Sequence, residues 1–200
     1  MGRKTIKQVF EKIEVIDAGA KGKTIAKAPD GRVIFLSNAV PGDIVDVQTL
    51  KKRKAYFEGK AIAFHKYSEK RTEPKCQHFG TCGGCKWQDM DYKYQLEYKQ
   101  NEVVNNLKRI GHLQLPEVTP IMGSAEQYFY RNKMEFSFSD SRWLTLEEIQ
   151  SDRDLGDKNA LGFHIPGMWD KILDVKKCWL QEDPSNDIRN AVKKFAIDNN

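Results

Sequence analysis

Three of the chain's four cysteines, Cys76, Cys82 and Cys85, fall within the ten residues CQHFGTCGGC. The fourth, Cys178, stands in DVKKCWL, with 92 residues between it and Cys85. Four cysteines are few for a disulfide scaffold in 200 residues. In a reducing compartment, clustered thiols more often ligate metal or act in catalysis. Tetrahedral zinc sites ordinarily pair their ligands as two C-x2–4-C units or as Cys2His2. Here the spacing is C-x5-C-x2-C and no second CxxC follows. His78, two residues from Cys76, would make a strained chelate. The spacing also departs from the C-x3-C-x2-C of radical-SAM enzymes. A four-iron cluster takes four thiolates, and the chain has four. Gly83 and Gly84 would let backbone N–H groups approach the sulfurs and stabilise the cluster's negative charge. Spacing therefore favours an iron–sulfur cluster on Cys76, Cys82, Cys85 and Cys178, with zinc the alternative and inert buried thiols the plain one.

Other elements must bring these segments together. Hydrophobic residues make up 40% of the chain and charged residues 30%, enough apolar material for a globular core. No run of 18 apolar residues exists, so no helical membrane span is predicted. The first residues, MGRKTIKQVFEKIEVIDAG, lack the continuous apolar stretch of a signal peptide, and Ile6 breaks the myristoylation pattern. The expected location is the cytoplasm. Charge is unevenly spread: residues 1–75 carry a net +8 and residues 76–200 a net −3. A basic module on a mildly acidic body points to a polyanion partner for the basic part.

Within that basic part, VFEKIEVID (9–17), RVIFLSNAV (32–40), DIVDVQTLKK (43–52) and KAYFEGKAIAFHKY (54–67) read as short strands. The turn signals AGAKGK, PDGR and VPGD separate them, which predicts a closed or nearly closed β-barrel. Lys51, Lys52, Arg53 and Lys54 stand between two strands, followed by Tyr56 and Phe57. Cations track a phosphate backbone and aromatic faces stack on unpaired bases. A solvated hairpin tip is the plain alternative. Residues 91–110 are predicted helical, with Leu96, Val103, Leu107 and Ile110 on one face and Gly111 as C′ cap. KMEFSFSD (133–140) alternates Met134, Phe136 and Phe138 against polar neighbours, as a half-buried strand does. The acidic stretch 141–160 reads as a loop or short helix, and ALGFHI with KILDV as a hairpin around PGMWD. Ile188, Val192 and Phe195 mark a last helix, with Ser185 a candidate N-cap. The fold class expected is mainly β with α, that is α+β.

Residues 5–68, with GRVIFLSNAVPGDIVDV and the basic strand after it, resemble a TRAM domain. That family is a five-stranded, OB-like RNA-binding barrel found in RNA-modifying enzymes. CQHFGTCGGCKWQDMDYKYQLEYKQ resembles the cluster-binding segment of RumA-type RNA uracil-5-methyltransferases, through CGGC, the WQ after it, and Tyr92, Gln95, Leu96 and Lys99. YRNKMEFSF and GFHIPGMWDKILDVKKCWL are similar to that family's central region. The resemblance implies a TRAM RNA-binding barrel over 1–68 and an iron–sulfur central domain over 69–200, whose 91–110 helix docks on a methyltransferase domain. It implies that all four cysteines bind a [4Fe–4S] cluster, that Arg131 and Lys133 face RNA, and that the substrate is 23S rRNA. An ion-pair role for Arg131 is the alternative. In the family's mechanism a cysteine adds to uracil C6, C5 takes the methyl of S-adenosyl-L-methionine (SAM), and a base removes the C5 proton.

These 200 residues contain no glycine-rich SAM loop, and their four cysteines are already assigned to the cluster. The expectation is an N-terminal part of a longer SAM-dependent methyltransferase, silent by itself. From another class comes the alternative of a stand-alone RNA-binding module with a structural metal.

Overall fold

Val9–Ala18 (β1) buries Phe10, Ile13 and Val15, although strict alternation would send residues 10 and 13 to opposite faces. A bulge between them resolves the conflict. Lys12 takes φ +50°, and its N–H donates to Asp46 Oδ1 at 2.9 Å. The extra residue turns Ile13 back inward. This is why the apolar period of the segment looks imperfect in sequence.

The computed structural model describes residues 8–151 and 155–199, leaving aside the side chains of Glu147 and Trp169. Thr24–Lys27 (β2), Val33–Ser37 (β3), Ile44–Lys52 (β4) and Tyr56–Lys66 (β5) join β1 in a closed barrel of order β1-β2-β3-β5-β4. All neighbours are antiparallel except β3 and β5. Ala26, Ile34, Leu36, Val45, Val47 and Phe57 fill the interior with the β1 residues, and the Phe10 and Phe57 rings meet edge to face at 5.1 Å. Closure leaves no sheet edge unpaired. Gly59 makes the β4–β5 approach possible, since a Cβ there would lie 2.7 Å from Val47 Cγ1 and 3.0 Å from the Gln48 carbonyl.

The chain divides into two compact units. The first holds the barrel together with residues 87–123. Its polar centre is Asp43, which is fully buried in the PGD turn. The carboxylate accepts from the N–H of Val40 (2.7 Å), the N–H of Ser68 (2.9 Å), and Arg71 through Nε (2.9 Å) and NH2 (2.7 Å). Arg71 also reaches Asp89 at 3.2 Å. Burial lifts the Asp89 carboxyl above its usual range, with Arg71 opposing that rise.

Tyr92–Asn105 (α1) starts at the cap Asp91, whose side chain accepts from the Lys93 N–H, and continues as a π-helical turn over Asn106–Ile110. The stripe expected to be its core face is largely outside: Val103 is 57% and Ile110 75% exposed. Tyr98 is buried instead, packed with Ala18, Val40, Met90, Trp87 and Tyr94, and its hydroxyl accepts from Lys70 Nζ at 2.6 Å. A tyrosine whose hydroxyl has a partner can bury its large ring.

The second unit comprises residues 74–86 and those from 124 on. Ser137–Ser139 (β6), Ala160–Ile165 (β7) and Met168–Asp174 (β8) form an antiparallel sheet in sequence order. The strand expected over 133–140 is thus three residues long, with Met134 and Phe136 half-buried and Phe138 exposed. Leu146–Gln150 (α2) is the short helix of the acidic stretch, started by a Thr145–Glu148 capping box. Ser185–Asn199 (α3) begins with Ser185 as its first residue, so Ser185 is not the cap. Ile188, Val192 and Phe195 face solvent, and Asn186 and Arg189 are the buried side chains of α3. The fold is α+β, mainly β, with a barrel at its N-terminal end.

Asp43→Ala is expected to destabilise the first unit by about 3–5 kcal/mol, because it leaves the Arg71 guanidinium and two N–H groups without their shared acceptor. Chemical denaturation followed by far-UV circular dichroism measures this, and a change within about 1 kcal/mol, the scale of a surface pair, would contradict the role assigned to Asp43.

Candidate four-thiol site

The loop 76–85 is wound by its own backbone. Phe79 N–H donates to the Cys76 carbonyl (3.0 Å), and the N–H groups of Thr81 (3.2 Å) and Cys82 (2.8 Å) both donate to the His78 carbonyl. Gly80 takes φ +85°, the left-handed conformation glycine permits. At Gly83 an added Cβ would sit 3.2 Å from Pro166 Cγ and 3.4 Å from the His164 carbonyl. A side chain there would press the loop off the turn between β7 and β8. Gly84 N–H donates to Cys82 Sγ at 3.4 Å, the backbone-to-sulfur contact expected from the glycine pair.

Cys178 follows β8 and is buried with Ile165, Leu173, Val175 and Leu180. Cys82 and Cys85 pack against that same cluster. Burial pushes the Cys82 thiol above its usual pKa, the Gly84 N–H works against that rise, and Cys85, Cys76 and Cys178 add to it. All three other thiols therefore lie close enough to bias the ionisation of one. The Tyr128 phenol is also raised, by burial first and then by Cys85 and Cys76, which puts it beside the site. Lys75 lies over the rings of Tyr128 (5.0 Å), Phe129 (5.5 Å) and Trp179 (4.2 Å), and Lys177 lies over Trp179 at 4.4 Å. These cation–π contacts hold two ammonium groups next to Cys76 and Cys178 in sequence.

His78 has a role that spacing does not reveal. Its Nε2 accepts from the Lys176 N–H at 3.1 Å, tying the three-cysteine loop to the segment that ends in Cys178. An acceptor role requires the neutral ring, and burial holds the His78 pKa below its usual value. Among the described residues no group of three or more His, Cys, Asp or Glu side chains is placed to hold a metal ion. The donor set is nonetheless one of soft sulfurs in an apolar wall, with an N–H aimed at one of them, and it fits a thiolate-ligated cluster. Cys76, Cys82, Cys85 and Cys178 would be its ligands, each thiolate on its own iron rather than all on one ion.

The residues expected to meet RNA lie on both units. Lys51, Lys52, Arg53 and Lys54 are exposed at the β4–β5 hairpin, and Lys51 is 3.7 Å from Glu58. The Arg53 N–H donates to the Tyr56 carbonyl at 2.9 Å, closing the tip. Tyr56 is half-buried, edge to face with Phe35 at 5.4 Å. Arg131 and Lys133 are exposed on the second unit, where Lys133 pairs with Glu135 at 3.0 Å. Asn186 and Arg189, polar residues on an amphipathic helix, carry no sequence signal of their position behind Cys178.

No family model matches the chain. It is 54% identical over 179 residues to a Bacteroides thetaiotaomicron protein named an uncharacterized RNA methyltransferase, which covers 90% of this chain and 39% of that protein. A Porphyromonas gingivalis protein of the same name is 40% identical, covering 92% of this chain and 40% of its own length. The chain thus spans about two fifths of the curated relatives it matches. Among solved structures, the Pyrococcus abyssi tRNA (uracil-54, C5)-methyltransferase in complex with S-adenosyl-L-homocysteine is similar in fold, with a TM-score of 0.54 at 21% identity, covering 94% of this chain and 37% of that one. Among the described residues no helix is long and apolar enough to cross a membrane.

Removing the imidazole acceptor should loosen the link between loop and hairpin. In cluster-free protein, His78→Ala is expected to cost about 0.5–1.5 kcal/mol, the net worth of one hydrogen bond, with His78→Gln recovering part of it. Urea unfolding followed by Trp143 and Trp179 fluorescence reads the effect. Equal stability of all three proteins would show that the Lys176 hydrogen bond carries no weight.

Proposed function

We propose that this chain is the RNA-binding and [4Fe–4S]-binding part of a SAM-dependent RNA uracil-5-methyltransferase that modifies 23S rRNA. The observation that carries the reading is that all four cysteines fall in one compact unit, with Cys82, Cys85 and Cys178 at one apolar cluster, in a chain whose relatives, over nine tenths of its length, are named RNA methyltransferases. The fold neighbour, named for uracil-C5 methylation and bound to S-adenosyl-L-homocysteine, favours that base and that methyl donor.

In this reading the barrel is a TRAM domain and meets RNA through the β4–β5 tip. Lys51, Lys52, Arg53 and Lys54 bind phosphates, which positions the RNA without selecting its sequence. Tyr56, half-buried against Phe35, is the aromatic ring at that tip for an unpaired base, and Arg131 and Lys133 are the RNA-facing residues of the second unit. Cys76, Cys82, Cys85 and Cys178 hold the cluster. When bound, the cluster supplies a rigid covalent junction between the 76–85 loop and the segment after β8. His78 keeps the two segments in register, and Gly84 N–H stabilises negative charge on the Cys82 sulfur. Methyl transfer itself is assigned to the part of the relatives' length that this chain does not span.

Labelled SAM and a uracil-containing segment of 23S rRNA, incubated with this chain and in parallel with a protein that continues to the length of its relatives, test the assignment. Transfer of label to uracil C5 by the longer protein alone is the expected result. Transfer by these 200 residues would overturn it, and transfer by neither would favour a binding module without catalysis. Replacing Lys51, Lys52 and Lys54 together by Ala should weaken binding of all sequences alike. On single-stranded RNA it should reduce the slope of log K against log salt by about 0.7 for each phosphate no longer neutralised. An unchanged slope would place those lysines away from the RNA.

A further inference from the structure

Cys178 is held by its backbone rather than by the sheet. Its N–H donates to Asn186 Oδ1 at 2.8 Å, and its carbonyl accepts from Asn186 Nδ2 at 3.1 Å. One side-chain amide thus satisfies both polar groups of one cysteine. The same Nδ2 donates to Asp183 Oδ1 at 2.8 Å, and the same Oδ1 accepts from Arg189 NH1 at 2.9 Å. Every donor and acceptor of the amide is therefore used. Its orientation is fixed as well, because a flipped amide would set NH2 against two donors. Arg189 NH2 continues the chain to the Lys176 carbonyl at 2.8 Å. Asn186 and Arg189 are 4% and 5% exposed.

Arg189 poses an electrostatic question. A guanidinium stays charged in proteins, and a buried charge is stable only when paired. The two carboxylates nearest in effect are engaged elsewhere: Asp174 with Lys193 at 2.8 Å and Asp183 with Lys177 at 3.7 Å. No ion pair among the described residues includes Arg189, and its Nε is buried without a hydrogen-bond partner. Its guanidinium carbon lies 5.0 Å from the centre of the Phe136 ring, which offers only a weak partial charge. Burial pulls its pKa down, and the first group that opposes this is Cys178. A buried cation with no ion pair of its own among the described residues, hydrogen-bonded to the amide that clasps Cys178, anticipates negative charge at that cysteine.

We infer that Asn186 and Arg189 are positioning residues of the four-thiol site: Asn186 clamps the backbone of Cys178, and Arg189 locks the clamp and supplies a buried positive charge to the thiolates of the bound cluster. This rests on the [4Fe–4S] reading for the charge but not for the clamp. The clamp orders residues 176–180 before any cofactor arrives. The charge then offsets the repulsion among four thiolates brought into one apolar wall.

Wild-type chain, Asn186→Leu, Arg189→Met and Arg189→Lys separate these parts. In cluster-free protein, amide hydrogen exchange over 176–180 should quicken about tenfold in Asn186→Leu, the equivalent of one hydrogen bond removed, while exchange in β1–β5 stays as in the wild type. After anaerobic reconstitution with ferrous iron and sulfide, chelator-driven iron loss should be about 10- to 100-fold faster in Asn186→Leu and Arg189→Met, the range for partners behind metal ligands. The visible circular dichroism of the thiolate-to-iron bands should change in both. Arg189→Lys should recover most of the retention, since it keeps the charge and disturbs the packing least. Wild-type exchange in Asn186→Leu would overturn the clamp, and equal iron loss in the Lys and Met variants would overturn the charge role. Should Asn186→Leu unfold the second unit, the milder pair at Arg189 decides, with faster exchange over 176–180 in Arg189→Met supporting the clamp and unchanged exchange refuting it. Should the wild type take up no iron and sulfide, the cluster reading and the charge role fall together, and exchange over 176–180 still judges the clamp.

Discussion

In the proposed reading four thiols ionise together in one apolar wall, where they would repel one another, and that repulsion is the constraint the second unit must meet. Burial and the neighbouring thiols both raise the Cys82 pKa, so that thiol resists taking a charge. The surroundings are prepared for that event. An N–H points at Cys82, a guanidinium is buried beside Cys178, and ammonium groups rest on Tyr128, Phe129 and Trp179. The neutral ring of His78 holds the 76–85 loop to Lys176, and the amide of Asn186 holds Cys178 two residues further on.

The first unit solves a different problem with a similar device. A five-stranded barrel must close on a small core, and the turn before β4 carries a carboxylate, Asp43, with no exposed surface. Four donors meet it, from the turn itself, from Ser68 and from Arg71. A turn that reads in sequence as an ordinary PGD signal is therefore the node joining the barrel to the residues after β5. With its interior filled, the barrel presents its excess of lysine outward at the β4–β5 tip, where charge costs little to expose.

Elements defined by period and turn chemistry are legible in the chain. The barrel runs, the β7–β8 hairpin, the α1 start and the C-terminal helix all follow from local pattern. β2 is hidden because four residues between Gly-rich turns leave almost no period to detect. Burial departs from the pattern where polar residues win the inside. On α1 the stripe of Val103, Leu107 and Ile110 faces out while Tyr98 is buried, and on α3 Ile188 and Phe195 are exposed while Asn186 and Arg189 are inside. An amphipathic pattern says which face is apolar but not whether a partner covers it. The cysteines are legible as a set because thiols are rare in this chain. Their supporting contacts are not: His78 stands among the cysteines, but its hydrogen bond to Lys176 spans 98 positions, and Asn186 and Arg189 have no distinguishing neighbours in sequence.

The most direct test is the identity of what the four thiols hold. Iron, acid-labile sulfide and zinc should be measured on the chain purified and reconstituted without oxygen, with a Mössbauer spectrum of the loaded protein. About four irons and four sulfides per chain are expected, as a cluster on four cysteine thiolates requires, with the spectrum of a [4Fe–4S] centre and loss of that centre on Cys178→Ser. About one zinc per chain, without sulfide, or a cluster that survives Cys178→Ser unchanged, would contradict the four-thiolate cluster.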